Sequence, residues 1–439
     1  MSKKVFLVLS LFFSYCSVFA QDKKIQWVDS VFQTLSPADK IGQLFMLPVS
    51  ARTTPAALAD IVNSVKDQHI GGVLITGGGP MAHARLVNKL QQQSKVPLLV
   101  GIHAEWGLAQ TLDSTISFPK PLVLGAIQRD TLIYQLGAEV AREMKLLGIH
   151  INFAPQADID PDQLNQFSGL RYFSNDHMRV ASKAVSFMKG LQQGGVIAVA
   201  KRLNQAKDKK PADSTVYLDI AKLDTPDFFP YQQMISGGLG GILTSHFHFS
   251  ILDKKELLPA SVSALFMNDV LRKKYGFTGL NFAEIPYLEE IVKKNKAGDT
   301  EELAFTAGND MLIDPVNINQ AIKKIEKSVR RDRALSDQLD LSVRKILAAK
   351  YDAGLAEFVP VNTDHLLSQL NSPEANLLNH ELVEAAVTVV SNNEKLIPVG
   401  ALDDKQFTSI TIGKNAHHAF NHYLSKYTAF QNITLESLA

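Results

Sequence analysis

Short apolar runs recur along this chain, separated by stretches whose apolar positions repeat at helical spacing. Eight runs have the length and apolar character of strands: Phe45 to Val49, Gly72 to Thr76, Leu98 to His103, His150 to Ala154, Val196 to Ala200, Gly241 to Ser245, Gly279 to Ala283 and Met311 to Ile313. Val196 to Ala200 is β-branched and lacks clear alternation, as strands covered on both faces of a parallel sheet do. Between them lie helical patterns such as Val180, Ala184, Met188 and Leu191, closed by Gly194 and Gly195, and Val262, Leu265, Phe266 and Val270 before Tyr275 and Gly276. A helix at Gln26 to Leu35 precedes the first strand, and Ser36-Pro37-Ala38-Asp39 reads as the cap of another. Eight strands with intervening helices predict an α/β fold, a (β/α)8 TIM-type barrel. Reactive groups are then expected on the loops that leave the strands' carboxyl ends.

From Glu302 to Leu347 the pattern is mostly helical, and Leu355 to Asn362 reads as the start of a linker. Glu381 to Val390 is a further apolar run, and Ser409 to Gly413 reads as a strand entering a loop. The expected organisation is a signal peptide at residues 1–20, a barrel at 21–355, a linker at 356–378 and a partial second α/β domain at 379–439. A unit that short is marginal for a core of its own.

Composition adds little to the fold and narrows the partners. The 439 residues exceed the length of about 250 typical of one barrel, which leaves room for the second unit. A charged fraction of 20% and a net charge of +1 give no global pull toward nucleic acid or a membrane surface, so recognition is local. The N-terminus reads as an address: Lys3 and Lys4 form a basic start, Val5 to Phe13 an apolar core, and Val18-Phe19-Ala20 a cleavage site. Export to the periplasm or the medium is expected. The single cysteine, Cys16, falls inside that segment, so the mature chain carries no disulfide.

Several strand ends carry a resemblance. Leu112 to Pro119 reads LDSTISFP, Asn152-Phe153-Ala154-Pro155 is followed by Ala157-Asp158-Ile159, Arg171-Tyr172-Phe173 and Ser245-His246-Phe247-His248 come next, and Ala307 to Leu312 reads AGNDML. In this order and at this spacing the chain resembles glycoside hydrolase family 3, in its bacterial β-N-acetylhexosaminidase branch. The resemblance implies a retaining glycosidase without a cofactor, acting on terminal N-acetylhexosamine of glycans or cell-wall fragments. Such enzymes need two groups about 5 to 5.5 Å apart, a nucleophile and an acid/base.

The catalytic positions depart from the family's pattern. Where the family has a nucleophilic Asp in Phe-Thr-Asp, this chain has Phe282-Ala283-Glu284; where it has the acid/base His of Asp-Ser-His, this chain has Asp213-Ser214-Thr215. The Lys-His-Phe-Pro-Gly-His-Gly of the family is here Lys201-Arg202-Leu203-Asn204-Gln205-Ala206-Lys207, a sugar-binding Asp has become His103, and a substrate-gripping Arg aligns with Thr111. The resemblance therefore assigns Glu284 and Asp213 to catalysis and His103, Glu105, Arg171, Lys201 and His246 to sugar binding, with activity weak or lost. The alternative is a non-catalytic glycan-binding or scaffolding protein.

Blander readings stand beside these. His103, Glu105, His246 and His248 have spacings that suit metal ligands, but the third and sixth strands of a barrel lie far apart and no metal is expected. The lysines at 201, 207, 209 and 210 with Arg202 suit an anionic group such as a muropeptide carboxylate, or simply a solvated loop. Trp106 suits stacking on a sugar ring or a pocket wall.

Overall fold

The computed structural model describes residues 22–159, 169–201, 215–216, 226–244, 248–249, 259–286, 296–412 and 418–435. Its strands are β1 (Phe45–Val49), β2 (Gly72–Ile75), β3 (Leu99–Ile102), β4 (Ile151–Asn152), β5 (Ile197–Lys201), β6 (Thr215–Val216), β7 (Gly241–Leu243), β8 (His248–Phe249), β9 (Leu280–Glu284) and β10 (Met311–Ile313). Eight of them close into a barrel in the order β1-β10-β9-β7-β5-β4-β3-β2, every pairing parallel. This is the fold that the periodicity predicts, and all eight strands lie within the runs read from the sequence or overlap them. β6 and β8 pair with each other outside the barrel.

The helices are α1 (residues 22–34), α2 (Pro37–Gly42), α3 (Pro55–Asp67), α4 (Pro80–Gln93), α5 (Pro121–Ala126), α6 (Asp130–Leu146), α7 (His177–Gln193), α8 (Phe229–Ser236), α9 (Phe266–Lys274), α10 (Asp299–Ala307), α11 (Ile318–Arg331) and α12 (Arg333–Asp352). Local chemistry sets their starts. Ser36 and Asp39 form a reciprocal capping box at α2, and Asp176 accepts from the amides of Met178 and Arg179 at α7. Gly194 follows the last residue of α7, as its glycine pair predicts. The hydrogen bonds of α9 follow the wider π spacing.

Side chains fill the barrel's centre. Phe153 and Phe282 meet edge to face with centroids 5.3 Å apart, although β4 and β9 are not neighbours. Glycine makes room for them: a Cβ on Gly101 would lie 2.7 Å from the Phe153 ring, and one on Gly241 3.0 Å from Phe282. Under this plug, Asp310 ties three elements together. Its carboxylate accepts from the Asn281 amide at 3.0 Å, the Ser342 hydroxyl at 2.7 Å and Lys345 at 3.1 Å, with Arg272 at 3.3 Å.

One buried carboxyl has no such support. Glu143, on α6, is buried and its oxygens have no hydrogen-bond partner among the described residues. Burial, reinforced by Glu139, pushes it up from the ordinary carboxyl value to about 8. The folded state therefore holds a proton that the unfolded chain releases above about pH 4.5. Stability should fall as pH rises through that window and level off above about 8, by at most about 1.4 kcal/mol per unit. Melting curves of Glu143→Gln against the unmodified chain should diverge between pH 5 and 8, the variant losing less.

The stretch 356–378, expected as a linker, carries helix α13 (Leu366–Leu370) and the start of α14 (Pro373–Ala386). Leu366 and Leu370, one turn apart, are buried where α13 packs on α4 and α6, and α14 lies on α5 and α6. The chain accordingly separates into one compact unit ending at Val387 and another from Thr388. The second holds β11 (Phe407–Ile412), α15 (His418–Leu424) and β12 (Phe430–Leu435), with β11 and β12 parallel. The strand read at Ser409 is present. Asn421 of α15 accepts from Ser409 at 2.7 Å, while Ile410, Ile412, Ile433 and Leu435 stay exposed.

Candidate functional site

β5 ends on Lys201, whose side chain leaves the strand at the carboxyl end of the barrel. It reaches past β4 to the loop after β3, where its ammonium pairs with Glu105 and lies 3.1 Å from His103 Nδ1. An ammonium has no acceptor, so the imidazole nitrogen accepts. Glu105 and Lys201 are almost wholly buried, whereas His103 is half-buried and is the member of the trio nearest the surface. The buried ion pair is paid for by geometry: each charge has its opposite in contact.

The loop after β3 is held from several sides. Asn152 clamps Ala104 with two side-chain hydrogen bonds, accepting from its amide and donating to its carbonyl, both at 3.0 Å. Gln110 accepts from the Glu105 amide at 2.5 Å, and the Thr111 hydroxyl donates to the His103 carbonyl at 2.7 Å. Thr111 thus holds the backbone of His103 at the position where the resemblance implies a substrate-gripping arginine. Gly107 has a φ of +89°, and a Cβ there would lie 2.7 Å from the Phe118 ring. Trp106 is half-buried with Lys120 over its ring at 5.7 Å.

Below Lys201, the Tyr231 hydroxyl lies 2.5 Å from Asp158 and 2.9 Å from the Lys201 carbonyl, which fixes the end of β5 to α8. Asp158 is buried and also faces Gln156 at 3.4 Å. These two supports, Tyr231 and Gln156, carried no motif in the sequence.

Glu284 is the last residue of β9 and is partly exposed. It lies two positions beyond Phe282, so the period-2 geometry of a strand puts it on the same, inward face at the barrel mouth. Its register partner is Ile313 of β10. His103 touches Phe153 at 5.4 Å and Phe153 touches Phe282, so a continuous aromatic floor joins the trio's side of the mouth to that of Glu284. The arrangement offers donors for sugar oxygens on one side and a carboxylate on the other.

Of the remaining expected residues, the one described does not join this group. Arg171 is exposed on a short 3-10 turn, Gly169–Arg171. Asp213 and His246 lie outside the described residues, as does the lysine-rich run 202–210. Thr215 lies on β6 in register with His248 of β8. A carboxyl that the sequence did not single out, Asp314, follows β10 in a left-handed conformation, φ +55°, and burial pushes it up from its ordinary value. Among the described residues no group of three His, Cys, Asp or Glu is placed to hold a metal ion.

Known proteins bear on this geometry in two ways. The model of the glycosyl hydrolase family 3 N-terminal domain matches residues 37–349. Among curated relatives, the β-N-acetylglucosaminidase/β-glucosidase of Cellulomonas fimi is 23% identical over 390 residues, covering 86% of this chain and 68% of that protein. β-Hexosaminidase A of Pseudoalteromonas piscicida is 26% identical over 379 residues, 78% of this chain and 62% of that protein, so the chain spans less than two thirds of that relative. In fold, a structure of β-glucoside phosphorylase BglX bound to 2FGlc superposes with a TM-score of 0.80 at 21% identity, over 95% of this chain and 78% of that one.

Proposed function

The chain belongs to glycosyl hydrolase family 3, and from that premise we propose that it acts on glycans ending in N-acetylhexosamine, at a rate held low by a missing acid/base group. Glu284 is the attacking carboxylate of a retaining mechanism, and Lys201 with His103 holds the sugar. The observation that carries this reading is the placement of Glu284 at the end of β9, on the inward face, across an aromatic floor from the Lys201, His103 and Glu105 trio. The relatives named for hexosaminidase activity support the choice of sugar. The basic and apolar N-terminus supports export of the mature chain.

Threonine has no pKa near neutrality, so Thr215 cannot supply the proton that a departing alcohol needs. Attack by Glu284 then depends on a leaving group that departs unaided. A second reading, a glycan-binding protein without turnover, is favoured by the same threonine.

Leaving-group dependence separates the two. With aryl N-acetyl-β-glucosaminides of graded acidity, the dinitrophenyl glycoside should be hydrolysed and the alkyl glycoside left intact. Turnover should disappear in Glu284→Ala. Absence of turnover with every leaving group, together with saturable sugar binding, would leave the binding reading in place.

A further inference from the structure

The loop after β3 carries an aromatic group that the trio does not use. We infer that Trp106 seats an aromatic leaving group, so that among glycosides of a terminal N-acetylhexosamine this site takes phenolic ones over those whose leaving group is another sugar. The inference rests on the proposed function and names the substrate class of that same site.

Trp106 directly follows the buried Glu105, and its own side chain is only half-buried. Its backbone is held in place: the Phe118 amide donates to the Trp106 carbonyl at 3.1 Å, and the next residue, Gly107, packs against the Phe118 ring. A preset indole stacks on a planar partner at little further cost in ordering. Lys120 brings its ammonium to 5.7 Å from the centroid of that ring, is exposed, and has no carboxylate partner among the described residues. Leu122 and Val123 of α5 follow it and are exposed as well, so this rim is apolar and cationic.

The chemistry at Glu284 selects the same class. Attack forms a bond from Glu284 to the anomeric carbon while the bond from that carbon to the leaving oxygen breaks, and the electron pair departs on that oxygen. Thr215 has no proton to give it near neutrality, so the leaving group has to carry the pair itself. A phenol, with a pKa of about 10, does so and takes its proton from solvent afterwards, whereas the aliphatic hydroxyl of a second sugar does not. Water then opens the glycosyl ester, which frees the sugar, returns a proton to solvent and restores Glu284. The bound glycoside is neutral, so the Glu284 carboxylate across the mouth does not oppose it. As negative charge grows on the phenol oxygen, the charge of Glu284 is consumed in the new bond, and Lys120 leaves this rim positive. The nearby acids do not cancel it, because Glu105 is paired with Lys201 and Asp113 with Arg52.

The chain has two tryptophans, and the other, Trp27, lies on α1 against Tyr351. In Trp27→Phe the indole fluorescence therefore comes from Trp106 alone. The test titrates this variant of the full chain with the phenyl and methyl 1-thioglycosides of N-acetyl-β-glucosamine, which resist hydrolysis. The phenyl compound should change the emission and bind about tenfold tighter than the methyl one, the scale of one aromatic pair. By isothermal titration, Trp106→Ala should abolish that preference and Trp106→Phe should keep most of it, with melting curves showing that each variant is folded. Equal binding of the two compounds, binding of neither, or a preference that survives Trp106→Ala would overturn the inference. Equal binding alongside turnover of the dinitrophenyl glycoside would do so and leave the proposed function standing. A phenyl preference lost in Trp106→Ala, with no turnover of any glycoside, would support the aromatic seat and overturn the proposed hydrolysis instead.

Discussion

The double variant Glu284→Asp, Thr215→His is expected to hydrolyse an aryl N-acetyl-β-glucosaminide about 10² to 10⁴ times faster than the unmodified chain, the usual worth of a positioned acid/base. The carboxylate contributes separately. Glu284 sits at the end of a strand whose inward face is fixed by Phe282, so its carboxylate reaches one methylene further into the mouth than an aspartate would. A displacement on the order of 1 Å can cost about a hundredfold in rate. Each single variant should recover part of the gain, with Thr215→His contributing more for poor leaving groups. The pH profile gives an independent reading: the variants with histidine should acquire a limb near its ordinary range, absent in Glu284→Asp alone. A double variant no faster than the unmodified chain would mean that the rate is limited elsewhere.

Asp310→Ala should be among the most destabilising substitutions in the barrel. The carboxylate is buried and accepts from the Asn281 amide, Ser342 and Lys345, with Arg272 beside it, joining β9, α9 and α12. Its removal leaves the Asn281 amide without its acceptor and two half-buried cations without their counter-charge, each keeping only a carbonyl among the described residues, Gly308 for Arg272 and Gly279 for Lys345, a loss of about 3 to 5 kcal/mol. Asp310→Asn keeps the shape and an acceptor oxygen and should lose less. Urea unfolding checks both. A loss under about 1 kcal/mol would place Asp310 with ordinary surface pairs.

Much of this molecule can be read from its sequence because apolar periodicity and the barrel's parallel pairing constrain the same residues. The eight strands show as short apolar runs, and a cap such as Ser36 acts within a few positions of itself. Side-chain pairing across the barrel is less visible. Nothing near Tyr231 indicates that it braces the end of β5, since its partners, Asp158 and the Lys201 carbonyl, are distant in sequence. Buried charge is equally hidden: Lys350 looks like any surface lysine of an amphipathic helix, yet it is fully buried against Gln43 at 2.6 Å, and burial pulls it down to about 7. Leu366 and Leu370 were masked by polar neighbours, so α13 read as linker.

At the site, the resemblance placed His103, Glu105 and Lys201 on strand ends, and the structure brings these three into contact. It could not foresee that Thr111 would hold the His103 carbonyl. Arg171 shows the reverse, a motif residue whose side chain stays exposed on its turn.

The most direct measurement is intact-mass and peptide mapping after incubation with a dinitrophenyl 2-deoxy-2-fluoro-β-glycoside, whose leaving group needs no proton. The account predicts one covalent sugar per chain, carried by the peptide containing Glu284 and absent in Glu284→Ala. No adduct, or an adduct on another carboxylate, would contradict it.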